Sequence, residues 1–252
     1  MKKRIAVTGE GPTDYGQSEY NPRTGRNEWN WGPVKGFCIL CLKAGDEGQH
    51  LEFYPVPKEE VKRMKLLRSD IGLEGRAIPA RKFRNLCREQ HLEYGIFYSD
   101  ADRGGDSGKI PHSARKHFEK VYQEVIQGLQ AEESSKFIPM VPLKMIECWL
   151  LADESAYEKY FGKIPKLPSA PELIWGNKED PESDYPKCYI IRAIKQASNA
   201  KLNSGREVFS ELVQDINVEV LKRKCPISFS TFYEDFRKLY NALEDEIHNQ
   251  EE

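Results

Sequence analysis

No stretch of this 252-residue chain approaches the roughly 18 consecutive apolar residues of a membrane-spanning helix, so no membrane partner is expected. Met1-Lys2-Lys3-Arg4 is basic like a secretory n-region, but the apolar run behind it breaks at Gly9-Glu10. It reads as a first strand and not as a signal peptide. A cationic excess is missing too: 38 Lys and Arg against 40 Asp and Glu leave a formal charge of −2. That balance does not announce a nucleic-acid binder. Regular cysteine spacing is absent, and six unpatterned cysteines fit reduced thiols and a cytoplasmic location. Cys38-x-x-Cys41 alone has metal spacing, yet it lies in an apolar run without a second Cys/His pair, so core packing is expected. Common catalytic signatures are also missing. Gly108-Lys109 lacks the upstream glycine of a phosphate loop and is followed by Ile110, and no Gly-x-Ser-x-Gly elbow exists. His112 and His117 are five residues apart, the wrong interval for one helix face, and read as surface residues.

What is present is a 39% hydrophobic chain with charge unevenly spread. Lys58–Arg88 holds ten basic residues against four acids, whereas Phe232 to the end holds seven acids against two bases. A basic sector beside an acidic site suits a polyanion; a solvated helix face explains it equally well. Residues 4–8 read as a strand, followed by a polar loop over residues 9–32. Pro33 opens a helix to about Lys43, residues 51–56 form a strand, and helical patterns follow at about 59–67 and 80–90. Tyr94–Ser99 is the central strand. Ser113 caps a helix to about Gln130, residues 136–141 form a strand, and residues 145–161 a helix. Strands alternating with helices predict an α/β fold with a mainly parallel sheet. Residues 1–162 form the expected core. Residues 163–252, proline-crowded and then helical from about Tyr189, form an extension packed on it.

Two apolar runs end in acids: Ile5-Ala6-Val7-Thr8-Gly9-Glu10-Gly11-Pro12-Thr13-Asp14 and Tyr94-Gly95-Ile96-Phe97-Tyr98-Ser99-Asp100-Ala101-Asp102. Ligands of open α/β sheets bind at the carboxyl ends of strands. Carboxylates gathered there repel one another, and a hard divalent cation neutralises them. Asp100 and Asp102 alternate onto one side of an extended segment, and Arg103-Gly104-Gly105 then turns the chain away. The bland reading of this pair is a simple turn. Glu10 between two glycines suits a tight turn near an anion. Asp14 either adds a ligand or caps a turn. Glu147, in Lys144-Met145-Ile146-Glu147-Cys148-Trp149-Leu150-Leu151-Ala152-Asp153, faces the core or the site among apolar neighbours. Such a charge is costly unless paired or metal-bound; alternatively it is a first-turn acid favoured by the helix dipole.

These motifs together resemble the TOPRIM domain shared by type IA and type II topoisomerases, DnaG-type primases, the ribosomal RNA maturase nuclease and OLD-family nucleases. The Glu147-Cys148-Trp149-Leu150-Leu151-Ala152-Asp153 segment is similar to one in small bacterial TOPRIM-like proteins close to the OLD nucleases and often linked to phage defence. The Asp180-Pro181-Glu182 to Pro186-Lys187 loop and Cys225-Pro226-Ile227-Ser228-Phe229 also resemble that group. The likeness covers roughly residues 4–160. It implies a compact parallel sheet flanked by helices and a Mg²⁺ site, open to Mn²⁺, that cuts or joins phosphodiesters. By that resemblance Glu10 is an acid/base or metal-ligand glutamate, and Asp100 and Asp102 are metal ligands. Asp14 matches the second acid of OLD-type sites, and Glu147 a further ligand. The segment after Asp14, with Trp29 and Trp31, is longer than the TOPRIM pattern and is a candidate for substrate contacts. No ATPase is attached, which leaves room for a separately encoded ATPase partner.

The expectation is therefore a Mg²⁺-dependent nuclease acting on DNA or RNA, catalysed by Glu10, Asp100 and Asp102. Glu10, Asp14, Asp100, Asp102 and Glu147 would hold one metal or two. Lys144, Lys187 and Arg103 are candidates to stabilise transition-state charge. No tyrosine stands out as a topoisomerase nucleophile. A glycosyltransferase leaves the Glu10 motif unexplained, and an Asp-x-Asp phosphatase expects Thr or Val where Gly104 stands. The non-enzyme alternative is a TOPRIM-like metal-binding interaction subunit that needs a partner.

Overall fold

The structure, a computed structural model, describes residues 2–42, 50–101, 111–130 and 136–251. Arg103 and Asp102 lie outside the described residues, as does the expected end of the first helix at Lys43.

The central strands are β1 (Lys3–Thr8), β4 (Leu51–Pro55), β5 (Tyr94–Tyr98) and β6 (Phe137–Met140). They lie in the order β4-β1-β5-β6, with every pair parallel. Alternation along the strands feeds two cores. Ile5, Val7, Tyr94, Ile96, Tyr98, Ile138 and Met140 enter one apolar cluster, while Ala6, Phe97 and Phe137 enter the other. The second cluster is covered by α2 (Lys58–Arg63), α3 (Ala77–Glu89) and α4 (Pro111–Leu129). The first is covered by α1 (Pro33–Leu40), α5 (Glu147–Leu150), α6 (Glu154–Phe161), α7 (Pro186–Ala197), α8 (Arg206–Gln214), α9 (Val218–Lys224) and α10 (Ser228–Glu251). The α/β class, the parallel sheet flanked by helices and the helical C-terminal part agree with the sequence expectation. No described helix is long and apolar enough to cross a membrane.

Trp149, Phe37, Phe229 and Phe232 are fully buried and pack ring against ring, with centroids 5.1–6.3 Å apart. Each such side chain contributes about 2–3 kcal/mol of burial free energy. Cys38 and Cys41 are fully buried in this cluster, which fits packing and not metal binding. Burial also pushes both thiols up in pKa. Cys87, Cys148 and Cys225 are buried as well; only Cys188 reaches the surface.

Two expectations need correction. The expected loop over residues 9–32 is a wide π-type turn, Gly11–Tyr15, followed by an antiparallel hairpin of β2 (Gly16–Asn21) and β3 (Arg26–Trp31). Its strands are polar on both sides except near Trp29 and Trp31, so no clean alternation announces them. The helix expected over 145–161 is broken into α5 and α6. Asp153 makes the break: its side chain accepts from Ser155 N at 2.9 Å and caps α6, while Oδ2 accepts from Asn217 N at 2.7 Å.

Candidate active site

The chain runs from β1 through α1 to β4 on one side, and from β5 through α4 to β6 on the other. The strand order therefore reverses between β1 and β5, and their carboxyl ends form the switch-point crevice where ligands of such sheets bind. Glu10, Asp14 and Asp100 all follow those two ends.

Gly9 lets the ends approach. A Cβ there would sit 2.6 Å from Tyr98 Cδ1 and 3.1 Å from Tyr15 Cβ, so a side chain is sterically excluded. Gly11, at φ +74°, adopts a backbone that favours glycine and turns the chain into the π-type turn. A turn of this width often marks a functional site. It returns Asp14 inward, where the residue is 6% exposed.

Tyr98 links the two runs. Its hydroxyl donates to Asp100 Oδ1 at 2.7 Å and lies 3.4 Å from Asp14 Oδ2. Burial pushes the Asp14 carboxyl up to about 6, against the opposing effect of Lys187 and the Tyr98 hydroxyl; Glu10 adds to the rise. Burial also raises Asp100 well above the carboxylate range, reinforced by the charges of Glu147 and Asp14. Asp14 Oδ1 is buried and accepts no hydrogen bond among the described residues.

Glu147 joins from α5, 3% exposed. It begins a helical turn inside the core cluster, which carries its carboxylate towards the crevice. Its Oε1 lies 3.9 Å from Lys187 Nζ, a cation in the first turn of α7. Burial alone would lower the Lys187 pKa, but Glu147, Asp14 and Asp100 together raise it. Asp14, Glu147 and Lys187 line an open cleft of about 330 Å³, together with Ile190, Gly205 and Phe209.

Glu10 is held beside this group. Its Oε1 accepts from Arg76 Nη1 at 2.6 Å and from Ser99 Oγ at 2.9 Å. Arg76 Nη2 also donates to the Asp100 backbone oxygen at 3.1 Å, so one guanidinium braces both strand ends. Arg76 is the N-cap residue just before α3, and its backbone N–H donates to Glu124 of α4 at 2.9 Å.

The structure thus brings Glu10, Asp14, Asp100 and Glu147 to one crevice, with Asp102 outside the described residues. Among the described residues no three His, Cys, Asp or Glu side chains are grouped tightly enough to cage a metal ion as they stand. Lys187 is at the site. Lys144 is buried, with its ammonium 4.6 Å from the Trp175 ring centroid. Trp29 and Trp31 are partly buried and pack with Tyr15 against the core, at 4.8 and 5.7 Å between centroids. His117 is more than a surface residue, because its Nε2 lies 2.6 Å from the Ala101 oxygen just beyond Asp100. The Cys225–Phe229 motif is structural. Glu172 accepts from the N–H groups of Ile227 and Ser228 at 2.7 and 3.0 Å, and Ser228 Oγ accepts from Trp149 Nε1 at 2.9 Å.

Sequence reasoning assigned no role to Tyr98, Ser99 or Arg76. Tyr98 had a signal, since it precedes Asp100 by two and shares its side of an extended segment. Arg76 had none beyond membership of a basic run.

Comparison with curated proteins and with solved structures finds no match. Comparison with protein families matches residues 59–237 to one described as "Domain of unknown function (DUF4276)". The match takes in β5 with Asp100, Glu147 and Lys187, and begins after Glu10 and Asp14. Since it spans well over half of the sequence, the chain belongs to the DUF4276 family.

Proposed function

We propose that this chain is a Mg²⁺-dependent nuclease of TOPRIM type that hydrolyses phosphodiester bonds of nucleic acid. The observation that carries the reading is the convergence of Asp14, Asp100 and Glu147 from three separate segments into the switch-point crevice. Burial raises both Asp100 and Asp14, and the charges of Glu147 and Asp14 push Asp100 further up. Folding has gathered negative charge there at a cost in stability, which is how functional sites behave. The place in phage defence rests on the resemblance alone.

The donor set fits a hard divalent cation: every candidate ligand is a carboxylate, and Asp14 Oδ1 is buried without a hydrogen-bond donor among the described residues. Asp14, Asp100 and Glu147 would hold it, with Asp102 as a further candidate. A divalent cation held by these carboxylates would supply Lewis-acid charge for phosphodiester hydrolysis. The protein's own groups do the rest. Arg76 and Ser99 both bond Glu10 Oε1, leaving Oε2 to take a proton from the attacking water. Tyr98 orients Asp100 through its 2.7 Å hydrogen bond. Lys187, on the rim of the cleft, offsets charge on the pentacovalent phosphorus.

The test is cleavage of labelled single- and double-stranded DNA, RNA and tRNA with Mg²⁺ or Mn²⁺, comparing wild type with Glu10→Ala and Asp100→Ala. Metal-dependent cleavage lost in both variants is the expected result. Tight metal binding without turnover gives the alternative, an interaction subunit activated by a partner. Cleavage that survives both substitutions places the active site elsewhere.

A further inference from the structure

A second cavity opens on the α2–α3 side of the same strand ends, with Glu10 in its wall. It holds about 190 Å³. Val61, Ile78, Pro79 and Phe97 line it, and Lys58, Lys62 and Lys82 stand around it. Val61 and Phe97 belong to the core beneath, so this wall is fixed by packing. The cavity is therefore a preformed slot with an apolar floor inside a charged surround, next to the acidic crevice. Such a slot suits a guest with an apolar flat body and anionic flanks. One nucleobase fits this volume; a base pair does not. The lysines match the phosphates on either side of that base, and the whole Lys58–Arg88 stretch carries excess positive charge. A duplex keeps its bases stacked and would have to extrude one.

Building on the nuclease reading, we propose that this slot takes one unstacked base of a single-stranded nucleic acid, with its flanking phosphates on Lys58 and Lys82. The neighbouring linkage of the strand then lies beside Glu10. Selection for unpaired nucleotides follows from the slot, separately from the chemistry in the crevice.

The experiment measures binding of a short fluorescein-labelled single strand, and of the same strand with abasic positions, in EDTA so that nothing is cut. Wild type is expected to hold the base-bearing strand about tenfold more tightly, the order of effect of one accommodated base. Ile78→Trp fills the slot and is expected to abolish that preference while charge-dependent binding persists. Ile78→Ser, a gentler change at the same half-buried wall, replaces it if Ile78→Trp loses its cooperative melt; it too is expected to shrink the preference. Lys58→Glu, at an exposed position, is expected to weaken both strands alike. Equal binding of the two strands by wild type, or a preference that survives both Ile78 variants, overturns the proposal. A parallel assay with Mg²⁺ separates it from the nuclease reading. Discrimination without cleavage keeps the slot and overturns the nuclease, whereas cleavage without discrimination does the opposite.

Discussion

Tyr98 has one hydroxyl proton and two acids within reach, and the shorter contact, to Asp100 Oδ1, takes it. Tyr98→Phe leaves the Asp100 carboxylate without that donor. It is expected to lower cleavage more than tenfold while costing about 1–2 kcal/mol of stability, checked by turnover and urea unfolding side by side. Asp14 behaves in the opposite sense. Its pKa rises from 3.8 to about 6 on folding, so the folded chain binds the proton more tightly. That contribution is fully present below pH 3.8 and is lost as pH rises through about 6. Asp14→Asn in EDTA is therefore expected to be more stable than wild type by about 2 kcal/mol at about pH 7, with the gap closing towards about pH 4. Urea unfolding of both proteins at the two pH values checks it, and a variant less stable at the higher pH would sink the idea. The four acids themselves were legible in the sequence because each follows an apolar run or interrupts one. Their tethers were not: Arg76 is 66 residues from the glutamate it holds, and nothing local in its neighbourhood marks that contact.

At the level of elements, the approach of β1 to β5 depends on Gly9. Gly9→Ala forces a methyl to 2.6 Å from the Tyr98 ring, which must shift. The expected cost is about 1–3 kcal/mol, with a loss of activity out of proportion because Tyr98 also positions Asp100. Thermal melting with a cleavage assay measures both, and normal activity at reduced stability would show the strand ends to be uncoupled. Asp153→Ala is the control element: losing the α6 cap and the bond to Asn217 N is expected to cost about 2–3 kcal/mol and leave cleavage intact. The central strands were readable because parallel strands buried on both faces leave long apolar runs, as Tyr94–Tyr98 does with every residue buried. The hairpin was not, since β2 faces solvent along most of its length and its polar sequence matches a loop. The break between α5 and α6 was missed for another reason. Ala152 continues the helical apolar pattern and hides the local cap that Asp153 makes to Ser155 N, while its second bond, to Asn217 N, comes from 64 residues away.

Across the whole molecule, the helices after the sheet are part of the same core. Phe229, Phe232, Phe236, Leu239, Tyr240 and Leu243 of α10 are buried in one cluster with Ile5 and Ile96. Removing residues 228–252 is expected to abolish cooperative unfolding and expose apolar surface, which calorimetry and dye binding would register. A truncated protein with a sharp melt would instead show that the sheet and its remaining helices suffice. The thiols have a practical consequence. Five of the six are sealed in the interior, and the sixth, Cys188, follows Lys187, a residue lining the acidic cleft, in the first turn of α7. A maleimide fluorophore added to the unaltered native protein would therefore attach at one position. That single dye would sit beside the proposed metal-binding crevice, turning occupancy into an optical signal without a cysteine having to be engineered in or out.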